Sequence, residues 1–382
     1  MIKTRNIELY FHIPFCQRKC NYCDFLSAPA DDITKNAYME AMLCEVTRRA
    51  PMYSEYSVSS IFFGGGTPTI VEPLWIERLL FAVKENYHLN PEIEITIECN
   101  PGTLTREKLQ CYKKAGVNRL SIGLQSADDK ELQMLGRIHN FSQFLDTYQM
   151  ATEEGFANIN VDLMGALPGQ SVVQYEQNLI KVLALNPRPK HISAYSLIVE
   201  EGTKFGDWYE EGKLSLIDEE EERIMFHRTE EILGKEGFVH YEISNYAMPE
   251  YECKHNCGYW QRAEYLGFGI GAASMVKQVR FQNTNQLEAY INNPLECRDE
   301  EHLLSVEEQM EETMFLGLRM LKGVSVKDFY DTFGKTLEQT YGAVIQKNIA
   351  DGLLTYDEKK TRLYLTEKGI DLSNYVMAQF LF

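Results

Sequence analysis

The stretch Phe15–Phe25, FCQRKCNYCDF, places three thiols within eight residues, at Cys16, Cys20 and Cys23. Thiolates at C-x3-C-x2-C spacing can each bind a different iron of a [4Fe-4S] cube, which leaves the fourth iron without a protein ligand. Zinc is the alternative, but a structural zinc site takes four ligands, and the nearest further candidate, His12, lies in a predicted strand. The spacing therefore favours an iron–sulfur loop whose open iron is free for an exogenous ligand.

Outward from this loop, strand-like and helix-like segments alternate along the first half of the chain. Short β-branched or aromatic runs indicate buried strands, and the segments between them show helical apolar spacing, one of them from a Thr105 N-cap to a Gly116 stop. The predicted strands are Ile7–Ile13, Val58–Phe63, Ile93–Ile97, Arg119–Leu124, Ile159–Leu163 and His191–Tyr195. Six such units predict an α/β fold in which a parallel sheet with outer helices forms a partial (β/α)6 TIM-like barrel.

The pattern changes after the sixth strand. Asp218–Gly237 predicts a further helix, and His240–Ile243 and the glycine-rich Leu266–Gly271 predict short returns to the barrel. From about Leu303, two helical patterns and a short hairpin resemble a winged-helix module. We expect three parts: residues 1–215 as the barrel core with the cysteine loop, residues 216–300 as a barrel extension, and residues 301–382 as a small C-terminal winged-helix-like domain.

Composition and charge exclude several classes of protein. The 382 residues carry a formal net charge of −18 and contain no apolar run near the ~18 residues of a membrane span. Acidic residues also outnumber basic ones in the C-terminal module, so nucleic acid is not an expected partner. Nine cysteines, an odd number, and no apolar leader favour a reducing cytoplasm. The other six cysteines are expected to pack, with a second metal site at Cys253 and Cys257 as a minor alternative.

Two further features identify a known family. The residues Tyr10–Phe15 precede the first cysteine, and Tyr22 precedes the third. Together with the C-x3-C-x2-C spacing they resemble the radical S-adenosylmethionine (SAM) superfamily, and more narrowly the group around anaerobic coproporphyrinogen III oxidase. The resemblance extends over nearly the whole chain. It implies a radical SAM barrel in which SAM chelates the open iron and an electron from the cluster splits a carbon–sulfur bond of SAM.

The resemblance also implies SAM contacts near the carboxyl ends of the barrel strands. The expected contacts are Tyr10, Tyr22, Gly65, Gly66, Thr67, Glu98, Gln125, Arg137, Asp162, Ile198 and Ala273. The glycine turn would hold the amino-acid end of SAM, although a tight strand-to-helix turn is the simpler explanation of such a triplet. Arg137 would pair with the SAM carboxylate, and Gln125 would orient the adenosine. Glu98 or Asp162 would bond the amine or the ribose hydroxyls.

The remaining expected contacts are aromatic or apolar. Tyr22 would pack near the adenine, and Tyr10 would lie on the cluster side, although a strand aromatic such as Tyr10 can equally belong to the core. Ile198 and Ala273 match weaker, apolar SAM contacts. No catalytic residue is assigned.

Residues His255–Trp260, HNCGYW, match an H-N-x-x-Y-W signature of one subgroup, the HemW-type heme chaperones. Imidazole can ligate heme iron, and tyrosine or tryptophan can stack on a flat macrocycle. His255, Asn256, Tyr259 and Trp260 are therefore candidate heme contacts. The alternative is a structural turn with buried aromatic side chains.

The residue beside the cysteine loop distinguishes two functions that share this fold. Oxidases of the family carry a further cysteine two positions after the third, where this chain has Phe25, and an N-terminal extension, where this chain has nine residues before Tyr10. We therefore expect a heme chaperone that carries heme as cargo to membrane or respiratory heme proteins. The alternatives are an oxygen-independent coproporphyrinogen III oxidase, which decarboxylates two propionates, and a DNA-binding regulator.

The chaperone hypothesis brings further expected partners. A cluster of this kind needs a protein or small molecule that donates an electron to it. A homodimer is compatible with the sequence. The sequence does not decide whether SAM is cleaved.

Overall fold

Strands and helices alternate through the first half of the chain in the computed structural model, which describes residues 5–299 and 301–381. The strands of this part are β1 Arg5–Ile13, β2 Tyr56–Gly65, β3 His88–Cys99, β4 Arg119–Gln125, β5 Asn158–Gly165 and β6 His191–Ser196. The helices are α1 Asp32–Arg49, α2 Pro73–Asn86, α3 Arg106–Ala115, α4 Asp129–Met134, α5 Phe141–Glu153 and α6 Val172–Leu183. All six predicted strands are present, and Thr105 and Gly116 cap α3 as predicted.

The strands β1 to β6 pair in parallel and in sequence order. Apolar side chains fill the space between this sheet and the helices. Phe11 of β1 stacks on Phe63 of β2, with 4.6 Å between ring centroids, and on Phe268 of a later strand at 5.0 Å. The parallel sheet with outer helices confirms the predicted α/β partial barrel.

Strands from the second half of the chain extend both edges of the parallel sheet. The elements are α7 Lys204–Glu210, α8 Glu219–Lys235, β7 Val239–Glu242, β8 Asn245–Ala247, α9 Lys254–Trp260, β9 Tyr265–Phe268, β10 Ala273–Val276, β11 Val279–Gln282, α10 Leu287–Asn292 and β12 His302–Leu303. β9 joins β1 in parallel and β10 to β12 follow it antiparallel, while β8 and β7 extend β6 antiparallel. The sequence analysis predicts no strand at β8 or at β10 to β12, which have two to four residues each.

The C-terminal part has an apolar core of its own. Its elements are α11 Val306–Arg319, β13 Val324–Ser325, α12 Val326–Phe333, α13 Leu337–Ala350, β14 Leu354–Tyr356, β15 Arg362–Leu365, α14 Glu367–Asp371 and α15 Ser373–Ala378. Its three strands form an antiparallel sheet in the order β13, β15, β14. Met314, Phe329 and Leu363 are buried in the core that this sheet shares with the helices. The predicted helices and hairpin are present, and α12 is an additional helix between them.

A buried carboxylate ties α1 to the segment after β9. Glu45 accepts hydrogen bonds from the Tyr290 hydroxyl at 2.7 Å, the Asn283 amide at 2.9 Å and the Gly269 N–H at 3.1 Å. The Nε of Arg49 lies 3.1 Å from Glu45 Oε1, and both side chains are buried. Because Glu45 and Tyr290 are 245 residues apart in sequence, this network joins the first barrel unit to the extension.

We expect Glu45→Ala to lower the free energy of unfolding by about 3–5 kcal/mol, because it leaves the Arg49 guanidinium buried without its carboxylate. Urea unfolding followed by circular dichroism measures the change. The matched control is Glu40→Ala on the same helix, where an exposed pair with Arg78 is worth about 0–1 kcal/mol. Equal effects of the two substitutions would contradict the assigned role of the Glu45 network.

Candidate functional site

The cysteine loop, residues 14–31, is held in place by backbone hydrogen bonds from both sides. The N–H of Cys16 donates to Ala28 O at 3.2 Å, which closes the base of the loop. Asn21 fixes the far side, since its N–H donates to Leu135 O, its side chain donates to Met134 O at 2.8 Å, and its carbonyl oxygen accepts from Phe205 N. The three thiols are thereby fixed at the end of β1, where the carboxyl ends of the parallel strands meet.

The glycine turn after β2 packs directly under this loop. The N–H of Gly66 donates to Ile13 O at 2.9 Å, and the N–H of Thr67 donates to Phe15 O at 2.8 Å. A Cβ on Gly66 would stand 2.7 Å from Phe15 O and 2.9 Å from the Cys16 sulfur. Glycine is therefore required for this close approach, which goes beyond the demands of a tight turn.

Two acidic side chains face each other below the glycine turn. Glu98, the last residue but one of β3, accepts a hydrogen bond from the N–H of Gly65 at 3.2 Å. Burial, with the Asp162 carboxylate as a further cause, raises the pKa of Glu98 to about 8. Burial also raises the pKa of Asp162, although a hydrogen bond from Asn160 opposes this. At neutral pH Glu98 is mostly protonated, so it can donate a hydrogen bond as well as accept one.

Arg137 links the cysteine loop to the strand ends. One of its Nη atoms donates to Asn100 Oδ1 and to Gly123 O, both at 2.6 Å, and the other lies 3.7 Å from the Cys20 sulfur. The Nε atom is buried without a protein partner among the described residues. Arg137 therefore still has N–H donors without a protein acceptor, the Nε–H among them, for the carboxylate that the sequence analysis assigns to it.

The His255–Trp260 motif forms α9, a short helix against the inner face of the sheet. His255 is buried, and its ring nitrogens lie 2.8 Å from the Ser60 hydroxyl and 3.1 Å from the Tyr259 hydroxyl. Burial, together with the Arg119 charge, lowers the pKa of His255 to about 3, so the ring is neutral. One of these two hydrogen bonds must break before His255 can ligate an iron.

A cavity of about 650 Å³ joins all of these groups. It is lined by every predicted cluster ligand, SAM contact and heme contact except Ile198 and Ala273. Ile198 is 68% exposed after β6, and Ala273 lines a second cavity of about 400 Å³ beside Tyr10 and Trp260. The volume of the first cavity is within the range of small-molecule and cofactor sites.

Several cavity residues are missing from the sequence predictions. Arg119 and Ser121 of β4, Asn160 of β5 and Ser193 of β6 line the same space. The sequence of β4, RLSIGLQ, contains a pattern that could have predicted two of them. Its polar residues and glycine alternate with the buried Leu120, Ile122 and Leu124. Such a period of two indicates which residues point into the barrel.

The donor groups suit a cluster with a small polar ligand. All three loop thiols are free, a glycine turn without Cβ lies against Cys16, and the Nε of Arg137 has no protein partner. Within residues 5–299 and 301–381, no three His, Cys, Asp or Glu side chains gather as a single metal ion requires. Convergence of that kind is not needed when each thiolate binds a separate iron of a cube.

Comparisons with known proteins show which families this chain resembles. The pattern of the Radical SAM superfamily matches residues 10–179, and that of the HemN C-terminal domain matches residues 304–372. The Heme chaperone HemW of Lactococcus lactis is 37% identical over 97% of this chain and 96% of its own length. That of Bacillus subtilis is 36% identical over 97% of this chain and 98% of its own.

Among solved structures, coproporphyrinogen III oxidase (HemN) from Escherichia coli superposes with a TM-score of 0.84 at 22% identity. The superposition covers 98% of this chain and 90% of that chain. A likeness at this identity shows the fold alone.

The raised pKa of Glu98 predicts a pH-dependent stability. The folded state holds Glu98 neutral, so its favourable contribution is complete below about pH 4.5 and is lost as pH rises through about 8. Glu98→Gln removes this loss, and its stability relative to wild type should therefore rise by about 2–4 kcal/mol between pH 5 and pH 9. Urea unfolding across that range measures the difference. Glu92→Gln, at an exposed position of the same strand, is the control, and a flat profile for Glu98→Gln would contradict the shift.

Proposed function

The chain belongs to the HemW family of heme chaperones within the radical SAM superfamily, and we propose that it binds heme and transfers it to heme-dependent respiratory proteins. The observation that carries the proposal is 37% and 36% identity to two such chaperones over nearly the full length of both chains. The cavity supports it, since Tyr259 and Trp260 line it with aromatic surface on which a flat macrocycle can stack.

The family implies a [4Fe-4S] cluster and SAM as cofactors. We propose Cys16, Cys20 and Cys23 as the cluster ligands. Together with the cluster, SAM would supply radical chemistry after a one-electron reduction. The turn at residues 64–68 would hold its amino-acid end, and Arg137, which lines the cavity, would receive its carboxylate.

The pKa values of Glu98 and Asp162 would respond to a bound ligand. A cationic ligand placed between Glu98 and Asp162 would favour the ionised form of both carboxyls and so lower their pKa values. Each would then accept hydrogen bonds from an amine or from ribose hydroxyls. The remaining predicted contacts, Tyr10, Tyr22 and Gln125, line the same cavity.

Phe25 supports the chaperone over the oxidase. Its side chain is 63% exposed and lines the mouth of the cavity at the position where oxidases of the family carry a fourth cysteine. An exposed aromatic side chain offers apolar contact to a cargo or a partner, whereas it supplies no thiol. The TM-score to HemN does not favour the oxidase, because it reports only the shared fold.

The partners and the location are also part of the proposal. An electron donor would reduce the cluster, and a membrane or respiratory heme protein would accept the cargo. No helix within the described ranges has both the length and the apolar character for crossing a membrane. A cytoplasmic location is supported by the nine cysteines, all of which are free thiols.

Heme added to the reconstituted protein under anaerobic conditions should shift its Soret band, and the bound heme should pass to an apo-protein acceptor. Trp260→Ala should weaken binding about tenfold, because it removes one stacking surface from the cavity wall. The matched control is Trp75→Ala on α2, outside the barrel, which should leave the affinity unchanged. Failure of the wild type to bind stoichiometric heme would remove the chaperone function.

Coproporphyrinogen, incubated with the same preparation, SAM and reductant, should remain unchanged. Formation of protoporphyrinogen would instead identify an oxidase. The two readouts separate the functions because each uses a different porphyrin.

Gly66→Ala should impair cluster loading while the chain still folds. Its Cβ would meet both Phe15 O and the Cys16 sulfur, so the cysteine loop must shift away from β2. Iron content and visible iron–thiolate absorption should fall towards those of a Cys16→Ala variant. Gly234→Ala, where a Cβ meets nothing within 4 Å, is the control, and normal loading of Gly66→Ala would show that the loop tolerates displacement.

A further inference from the structure

The floor of the cavity holds a buried arginine that no protein group contacts as a partner. Arg119 begins β4, which places its backbone about 20 Å along the strand from Gln125 at roughly 3.3 Å per residue. Its side chain is 2% exposed and lines the cavity. Within the described part of the chain its guanidinium donates no hydrogen bond and reaches no carboxylate at ion-pair distance.

Two carboxylates near Arg119 are bonded to other donors. Glu94 and Asp162 are close enough to favour the charged form of Arg119. The Glu94 carboxylate, however, accepts the N–H of His255 at 3.3 Å, and the Asp162 carboxylate accepts the Asn160 amide at 2.7 Å. Neither carboxylate forms a hydrogen bond or an ion pair with Arg119, so both balance its charge only from a distance.

The neutral polar groups on the floor also bond among themselves. The Asn160 amide donates to the Ser121 hydroxyl at 2.8 Å, and Asn160 Oδ1 accepts from Ser193 at 3.2 Å. The same oxygen lies 2.6 Å from His191 Nδ1. None of these groups accepts a hydrogen bond from Arg119.

A guanidinium presents five N–H donors in a planar fork, which matches the two oxygens of a carboxylate. A buried charged group without partners is costly, so such a group indicates a missing acceptor. The acceptor must enter through the cavity, because protein covers Arg119 on the other sides. A phosphate is a poorer match than a carboxylate, since its second negative charge would face the acidic side chains Glu98 and Asp162 of the same cavity.

We propose that Arg119 is a carboxylate subsite on the cavity floor and that, given the proposed heme function, it receives one heme propionate. The heme then enters with its propionate edge towards Arg119 and its opposite edge towards the mouth. Tyr259 and Trp260 line the wall between these two ends. In this proposal Arg119 binds the ligand and does not contribute to cluster assembly.

The test crosses a change in the protein with a change in the ligand. Wild type and Arg119→Gln are each titrated with heme and with heme dimethyl ester, whose propionates carry no charge. Loss of a charge-assisted pair should weaken heme binding about 10- to 100-fold in Arg119→Gln. The ester should bind wild type about as weakly, and Arg119→Gln should not weaken its binding further.

Three results would overturn the subsite. Arg119→Gln could bind heme as tightly as wild type does, or it could weaken heme and ester equally, which would make Arg119 structural. Wild type could also bind heme and ester with the same affinity, and this comparison needs no variant. If wild type binds neither ligand, the proposed heme function is wrong. If wild type binds heme but the affinity does not depend on Arg119, only the subsite is wrong.

Two further variants separate ligand binding from folding. Arg49→Gln removes an equally buried guanidinium on α1, outside the cavity, and should leave heme affinity unchanged. Arg119→Lys keeps the charge without the planar fork and should recover part of the lost affinity. Circular dichroism and iron content of each variant should match those of wild type, which shows that the fold and the cluster loop are intact.

Discussion

The hydrogen bonds from Gly66 to Ile13 and from Thr67 to Phe15 are the constraint on which the site depends. They continue the pairing of β1 with β2 past the end of β2, so the cysteine loop and the glycine turn form one unit. The turn can approach the loop this closely only because Gly66 carries no side chain. The loop then returns through Ala28 to α1, and the three thiols stay at the edge of the sheet where the other strand ends supply polar groups.

The interior of the barrel has a second organisation, set by the alternation of side chains along the strands. In β4 and β5, residues such as Leu120 and Val161 are buried against the outer helices, whereas Ser121 and Asp162 line the cavity. A barrel of this size is usually filled with apolar side chains. Here a space of about 650 Å³ remains, and its polar walls make it a binding site instead of a core.

The sequence predicts the barrel well because each strand–helix unit contains its own signals. Thr105 and Gly116 delimit α3 through local backbone geometry, which needs no knowledge of the rest of the chain. The strands β10 to β12 are different, since β10 is placed by β9, which in turn pairs with β1 more than two hundred residues earlier in the chain. Arg119 was missed for another reason: its significance is the absence of a partner, and a strand sequence does not reveal which of its neighbours are already bonded.

The His255–Trp260 motif acquires a more specific role from its surroundings. His255 holds the Tyr259 hydroxyl from inside the sheet, and Gly258 leaves the space that the Glu8 carboxyl occupies. On the other side, the Arg319 guanidinium at the end of α11 lies 4.3 Å from the centre of the Trp260 ring. The motif therefore joins the cavity wall to the C-terminal domain, so a partner that displaces α11 would move Trp260 and with it the surface proposed to hold the heme.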